Sequence, residues 1–177
     1  MSQETVNTAV LDTLASVQKN FKNGQIIYKA NVKWDGDTHC TAQVRKFEPL
    51  AIDEPASFGG ADAAMSPVDL VLSALGSCQI IMYSVLASVM EIPIEDLQVD
   101  LKGDLDLRGL LGLDKQIPAG FTRIEYHAKI TSPASSEQLS RLVNAVENQC
   151  PLLDMLIRPV EVVGKVTFNG TEEYKPA

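Results

Sequence analysis

An α+β fold follows from three features of the 177-residue sequence. Strand-like segments with period-two alternation occur in adjacent pairs, which hairpins can join. Helical segments are marked off by recognisable caps. The resulting order, α-β-β-α-β-β-α-α-β, separates hairpin-linked strands from helices and does not repeat a βαβ unit.

The first helix is predicted from Val6, Val10, Leu14 and Val17, which recur at near-helical spacing, with Asn23-Gly24 as its stop. From Gln25 the period changes to two. Tyr28, Ala30, Val32 and Trp34 share one face, and Lys29, Asn31 and Lys33 the other. Asp35-Gly36 is the expected hairpin turn, with Cys40, Ala42 and Val44 on one face of the return strand. Residues 49–65 read as a loop rich in Pro and Gly. Ser66 then caps a helix, Pro67 suits its first turn, and Asp69 completes a capping box.

That helix opens an unusual stretch. The 21 residues from Leu70 to Met90 carry no formal charge, which is enough to span a bilayer. Ser73, Gly76, Ser77, Gln79, Ser84 and Ser88 interrupt it, and Asp69 and Glu91 flank it where a span would show Lys or Arg. The expectation is a buried helix at the centre of a soluble core, with no membrane partner. So small a chain needs a second copy to cover such a helix.

Two further strands follow from Leu97, Val99, Leu101, Leu105 and Leu107, and from Ile124, Tyr126, Ala128 and Ile130. The loop between them, residues 108–114, is oddly apolar. Leu110 and Leu111 in it either pack on their own hairpin or a partner chain, or line an apolar entrance for a substrate. Ser135 and Gln138 open a helix with Leu139, Leu142, Val143 and Val146 on its buried stripe. Cys150-Pro151 starts a short helix to Ile157, and Val160, Val162, Val166 and Phe168 make the last strand. No repeat, low-complexity run or linker divides the chain.

The charge balance of 15 Lys+Arg against 23 Asp+Glu gives −8 and argues against nucleic-acid or anionic-lipid partners. The polar, acidic opening lacks a basic region leading into an apolar one, so a cytoplasmic protein with reduced cysteines is expected. No glycine-rich phosphate loop, dinucleotide fingerprint or zinc spacing is present, so neither cofactor nor metal is expected.

Three cysteines carry what chemistry the sequence suggests. Cys40 reads as strand core. Cys78 lies too deep in the uncharged helix for that helix's own dipole, and is either a small core residue or a thiolate needing a nearby cation. Cys150 stands at a helix N-cap, where free amides favour a negative sulfur. Together Cys78 and Cys150 suggest oxidation to a sulfenic acid that the second thiol resolves as a disulfide. His39 shares a strand face with Arg45, which keeps a third option open, a Cys-His acyl hydrolase.

Asp53-Glu54-Pro55, Gly59-Gly60, Ser66-Pro67-Val68-Asp69-Leu70, Ala74-Leu75-Gly76-Ser77-Cys78 and Cys150-Pro151-Leu152 occur in an order and spacing that resembles the OsmC/Ohr family. The resemblance runs from Gln25 to Phe168. It implies an OsmC-like domain over 25–177 with residues 1–24 as an N-terminal helical extension. It further implies an intertwined homodimer, with two long central helices packed against wrapped antiparallel β-sheets and active sites at the subunit interface. The implied activity is reduction of organic hydroperoxides by a thiol peroxidase drawing electrons from a lipoyl-type dithiol. Residue by residue, Cys78 matches the attacking cysteine and Cys150 the resolving one. The family's glutamate after the helix-start proline falls on Val68 here, with Asp69 next along. Arg45, the only arginine before Cys78, is the candidate for the family's thiolate-holding arginine, or else a solvated strand charge. Glu54 and Asp69 are candidate substrate-side carboxylates, Asp69 equally a plain cap and Glu54 a loop carboxylate. The alternative function is a non-catalytic OsmC-like module that binds a small ligand in an apolar interface pocket.

Overall fold

A computed structural model describes residues 3–174. Its elements are α1 (Gln3–Lys19), β1 (Asn31–Gly36), β2 (His39–Gln43), β3 (Leu50–Ile52), α2 (Pro67–Val89), β4 (Asp96–Leu105), α3 (Leu107–Leu110), β5 (Phe121–Thr131), α4 (Ser136–Gln149), α5 (Pro151–Ile157), β6 (Val166–Phe168) and β7 (Glu172–Tyr174). The strands form three separate antiparallel sheets, β1-β2-β3, β4-β5 and β6-β7. The α+β expectation holds.

α2 begins as its sequence requires. The Ser66 hydroxyl accepts from the Asp69 amide, and Asp69 accepts from the Ser66 amide at 3.0 Å, closing a capping box. At the other end, the Ile92 amide donates to the Ala87 carbonyl at 2.8 Å across Glu91, whose φ is +56°. This is a Schellman-type stop, and Ile92 buries itself behind it. The inner face of α2 presents Leu75, Gly76, Gln79, Tyr83 and Ala87, all buried. Tyr83, Ala87 and Ile92 join Leu142 and Val146 of α4 in the core, with Leu97 and Ile130 of the β4-β5 ribbon against them. β4 alternates exposed and half-buried residues as its sequence predicts, Leu101 standing opposite Tyr126 of β5. Gly76 lets α2 approach this ribbon closely, since a Cβ there would stand 2.6 Å from Leu101 Cδ1.

Four local expectations need correction. The first hairpin turns at residues 37–38, not at Asp35-Gly36. Gly36 (φ +127°) and Asp37 (φ +46°) supply the left-handed backbone, and a bulge follows Trp34. The loop 49–65 contains β3, which pairs Ala51 with Thr41 and was hidden among prolines and glycines. The apolar segment after Asp106 is the helical turn α3, capped by the Asp106 carboxylate on the Arg108 amide at 2.9 Å. The final strand is shorter than expected, because residues 160–165 lie outside it, and it pairs instead with β7.

Asp53 organises the loop that leads into α2. It is buried, and its carboxylate accepts from the amides of Ala61 (2.9 Å) and Ala63 (3.2 Å) and from the Thr38 hydroxyl (3.2 Å). These donors, the Ala63 amide foremost and then the Glu54 amide, hold the acid below its usual pKa. A carboxylate with a depressed folded pKa stabilises the fold above its unfolded pKa and loses that contribution as pH falls through the folded one. Asp53→Asn is therefore expected to lower the melting temperature at pH 7 and to shrink the gap from wild type as pH falls below 4. Equal melting temperatures at pH 7 would sink this account.

The surface is unusual for a single chain. The protein exposes 13285 Å², where a compact monomer of 19.2 kDa exposes about 8,400 Å². Trp34 is 71 % exposed, Ile81 on the outer face of α2 is 60 %, and Val162 is 89 %. By length and composition α2 also suits a membrane span, but its inner face is spoken for by β4 and α4.

Candidate active site

The two cysteines that the sequence singles out meet. Cys150 Sγ donates to Cys78 Sγ at 3.5 Å, although 72 residues separate them. Both are free thiols, Cys78 partly exposed and Cys150 fully buried. A disulfide needs the sulfurs at about 2.05 Å, so closure demands that they approach by about 1.5 Å. The exposure difference also separates the roles. An incoming oxidant reaches Cys78 first, and Cys150 waits behind it.

The α4–α5 corner places Cys150. It ends α4 with its amide on the Val146 carbonyl (2.9 Å), and it starts α5 by accepting the Asp154 amide (2.9 Å). Its side chain makes no capping bond of its own. The expectation that the free amides serve Cys150 is thus corrected. Pro151 has no amide to give, so Leu152 offers the first free one, and its influence is to lower the pKa of the Cys78 thiol. Cys78 is too deep in α2 for that helix's dipole, but it sits at the start of a different helix.

The net effect on Cys78 is nevertheless upward. Burial raises the thiol pKa most, the Leu152 amide opposes this, and the neighbouring Cys150 adds to the rise. Arg45 is not among the groups that act on it. That residue lies in a turn beyond β2, at φ +50°, with its carbonyl and that of Phe47 clamped by the Gln43 amide (3.1 and 2.8 Å). Its guanidinium stacks over the Phe47 ring at 4.5 Å. It is exposed and lies past the strand face on which the alternation put it.

The other candidates are placed as follows. Asp69 is occupied as the cap of α2, where the Ser66 hydroxyl donates to it at 2.6 Å, and this lowers its pKa. Glu54 contributes its carbonyl to the Asp62 amide (3.1 Å), while the buried carboxylate of that loop is Asp53. Leu110 at the end of α3 and Leu111 just after it are exposed, and neither lines the cavity formed by α2, β5 and α5. That cavity, of about 370 Å³, has Leu75, Ile124, Tyr126, Leu153, Leu156 and Ile157 in its wall. His39 faces Asp35 (3.6 Å) within the first hairpin. Among the described residues no cluster of three or more His, Cys, Asp or Glu could hold a metal.

A model of the OsmC-like protein family matches residues 59–163, which hold both cysteines and the elements around them. The chain belongs to the OsmC-like family. Solved structures of the family share the fold. An OsmC-like protein from Mycoplasma pneumoniae superposes with a TM-score of 0.65 at 21 % identity, over 75 % of this chain and 89 % of that one. An organic hydroperoxide resistance protein OsmC from Legionella pneumophila gives 0.57 at 22 % identity, over 76 % and 93 %. An organic hydroperoxide resistance protein from Elizabethkingia anophelis gives 0.55 at 19 %, over 73 % and 89 %. No curated protein matches the sequence.

Three residues beside the OsmC-like cysteine pair carried no readable signal in the sequence. Gln79, next to Cys78, is fully buried with neither amide atom hydrogen-bonded. Tyr126 donates to Glu147 at 2.5 Å, and its pKa is raised chiefly by burial and then by that bond. Each comes from a different element, so no local motif announces them.

Proposed function

We propose that this OsmC-like protein is a thiol peroxidase for organic hydroperoxides, and the 3.5 Å approach of Cys78 and Cys150 is the observation that carries the reading. The Cys78 thiolate attacks the terminal oxygen of the hydroperoxide and breaks the O–O bond. The alkoxide leaves and takes a proton to become the alcohol. Cys150 then attacks the sulfur of the resulting sulfenic acid. The disulfide forms and the hydroxyl departs as water with the Cys150 proton. A lipoyl-type dithiol restores the two thiols by exchange. The setting is the cytoplasm, where thiols stay reduced.

The active unit proposed is an intertwined homodimer. The excess apolar surface on α2 and the first sheet supports it, and so does the missing cation. Among the described residues of one chain no cation acts on Cys78, whereas Arg45 of a second copy could lower its pKa. Treatment with cumene hydroperoxide is expected to remove two hydrogens from the intact mass. With Cys150→Ser, one oxygen is gained instead. No mass change in either protein at stoichiometric peroxide would overturn the proposal.

A second reading, ligand binding without catalysis, is favoured by the raised Cys78 thiol and by Val68 where the family's glutamate is expected. The pH profile of Cys78 alkylation separates the two. A midpoint below the ordinary thiol value of about 8.5 supports catalysis, and one above it supports binding.

A further inference from the structure

A single rung of the β4-β5 ribbon meets the helices that carry both cysteines. Leu101 pairs with Tyr126 on that rung. On one side, Gly76 lets α2 settle onto Leu101, two residues before Cys78. On the other, the Tyr126 hydroxyl donates to Glu147 Oε1 at 2.5 Å, three residues before Cys150. Residues three apart on a helix lie on one face, so this bond holds the turn of α4 from which Cys150 projects. It is a side-chain hydrogen bond that ties α4 to β5. The Gln79 amide lies beside the same hydroxyl, buried and without a hydrogen bond of ordinary geometry. The Tyr126 hydroxyl thus stands where α2, β5 and α4 converge, within one residue of Cys78 and one turn of Cys150 along their helices.

We propose that Tyr126 is a positioning residue for disulfide closure, acting through Glu147 to hold Cys150 against Cys78. The inference rests on the redox pairing proposed above and deepens it. In the closing step the Cys150 sulfur must advance along the line to Cys78 while its thiol proton leaves with the hydroxyl. Loss of the Tyr126 hydroxyl leaves the end of α4 free to drift, and the sulfurs then meet less often. The first oxidation of Cys78 does not pass through α4. A tyrosine that merely supported the fold would disturb both steps alike.

The test measures closure by stopped flow with two oxidants on the full chain. Cumene hydroperoxide reads it after peroxide attack. An azodicarboxamide takes two thiols directly to a disulfide and is itself reduced to the hydrazine, so it reads closure even if hydroperoxides are not the substrate. Tyr126→Phe is expected to slow closure at least tenfold with both oxidants, while iodoacetamide alkylates Cys78 at the wild-type rate. Glu147→Leu is expected to match it, and the double variant to be no slower than either single one. The conservative Glu147→Gln retains an oxygen for Tyr126 and recovers closure to within about threefold. If Tyr126→Phe melts too low to assay, Glu147→Leu carries the comparison. Closure within twofold of wild type in the single variants, or multiplying effects in the double one, would overturn the role of Tyr126. Wild-type closure by the azodicarboxamide but not by hydroperoxide would instead overturn the peroxidase reading and leave the positioning result standing.

Discussion

Replacing Gly60 by alanine is expected to destabilise the protein by about 3 kcal/mol and to lower its melting temperature by roughly 6–12 °C. A Cβ at this position would stand 1.7 Å from the Glu54 carbonyl oxygen, 2.5 Å from its carbon and 2.9 Å from Asp53 Oδ1. A backbone carbonyl cannot swing aside as a side-chain tip can, so the loop itself must move. That movement would pull the Ala61 and Ala63 amides off the buried Asp53 carboxylate and leave it short of donors. The neighbouring Gly59 is the control. Its φ is +83° with nothing within 4 Å of a Cβ, so Gly59→Ala bears only the left-handed backbone penalty of about 1–2 kcal/mol. Scanning calorimetry of the two variants decides the matter. A Gly60→Ala loss no greater than that of Gly59→Ala would show that the loop yields freely. The consequence reaches the site, because Asp53 also donates its amide to the Met65 carbonyl (3.4 Å), one residue before the cap of α2.

The parts of this fold that sequence makes legible are those whose signal is local. Ser66 and Asp69, and Ser135 and Gln138, are three apart and bond to each other, so both helix starts can be read directly. The β4-β5 ribbon is readable because ten residues alternate without interruption. β3 is not, because three residues cannot establish a period, and Leu50–Ile52 is a strand only through its pairing with β2. The end of α2 is half-legible. Pro93 announces a stop, but Glu91 in a left-handed conformation takes a place where glycine is the usual signal.

The site divides in the same way. Cys78 and Cys150 could be named, but their meeting could not, because it depends on the α4–α5 corner folding back onto α2. The start of α5 lies where Cys150-Pro151 predicts, but the Cys150 side chain makes no capping bond there. Only the three-dimensional arrangement shows that the Cys150 sulfur turns to Cys78, while the Leu152 amide acts to lower the Cys78 pKa. Tyr126 reads as one more inward residue of an alternating strand. What distinguishes it is its hydroxyl, and the Glu147 partner lies 21 residues further along the chain.

Substituting Ile81 by aspartate is expected to break the proposed dimer, with a rise of at least 100-fold in its dissociation constant, about 2.7 kcal/mol. Ile81 lies in the middle of α2, 60 % exposed, within 21 consecutive residues that carry no charge. One charge placed there would have to be desolvated against a second apolar helix without a partner of opposite sign. Sedimentation is expected to give twice the 19.2 kDa of one chain for the wild type and a single chain for Ile81→Asp. Ile81→Ala, which removes apolar area without adding charge, should fall between them. Chemistry should follow assembly. Within one chain the Cys78 thiol is raised by burial, and no cation among the described residues opposes it. If the second copy brings Arg45 to the sulfur, the Cys78 alkylation midpoint must move to higher pH as the dimer separates, and Arg45→Met must produce the same shift with the dimer intact. A wild type that sediments as a single chain at micromolar concentration would remove the homodimer. A dimer whose alkylation midpoint ignores both substitutions would keep the assembly but deny Arg45 any part in activating the thiol.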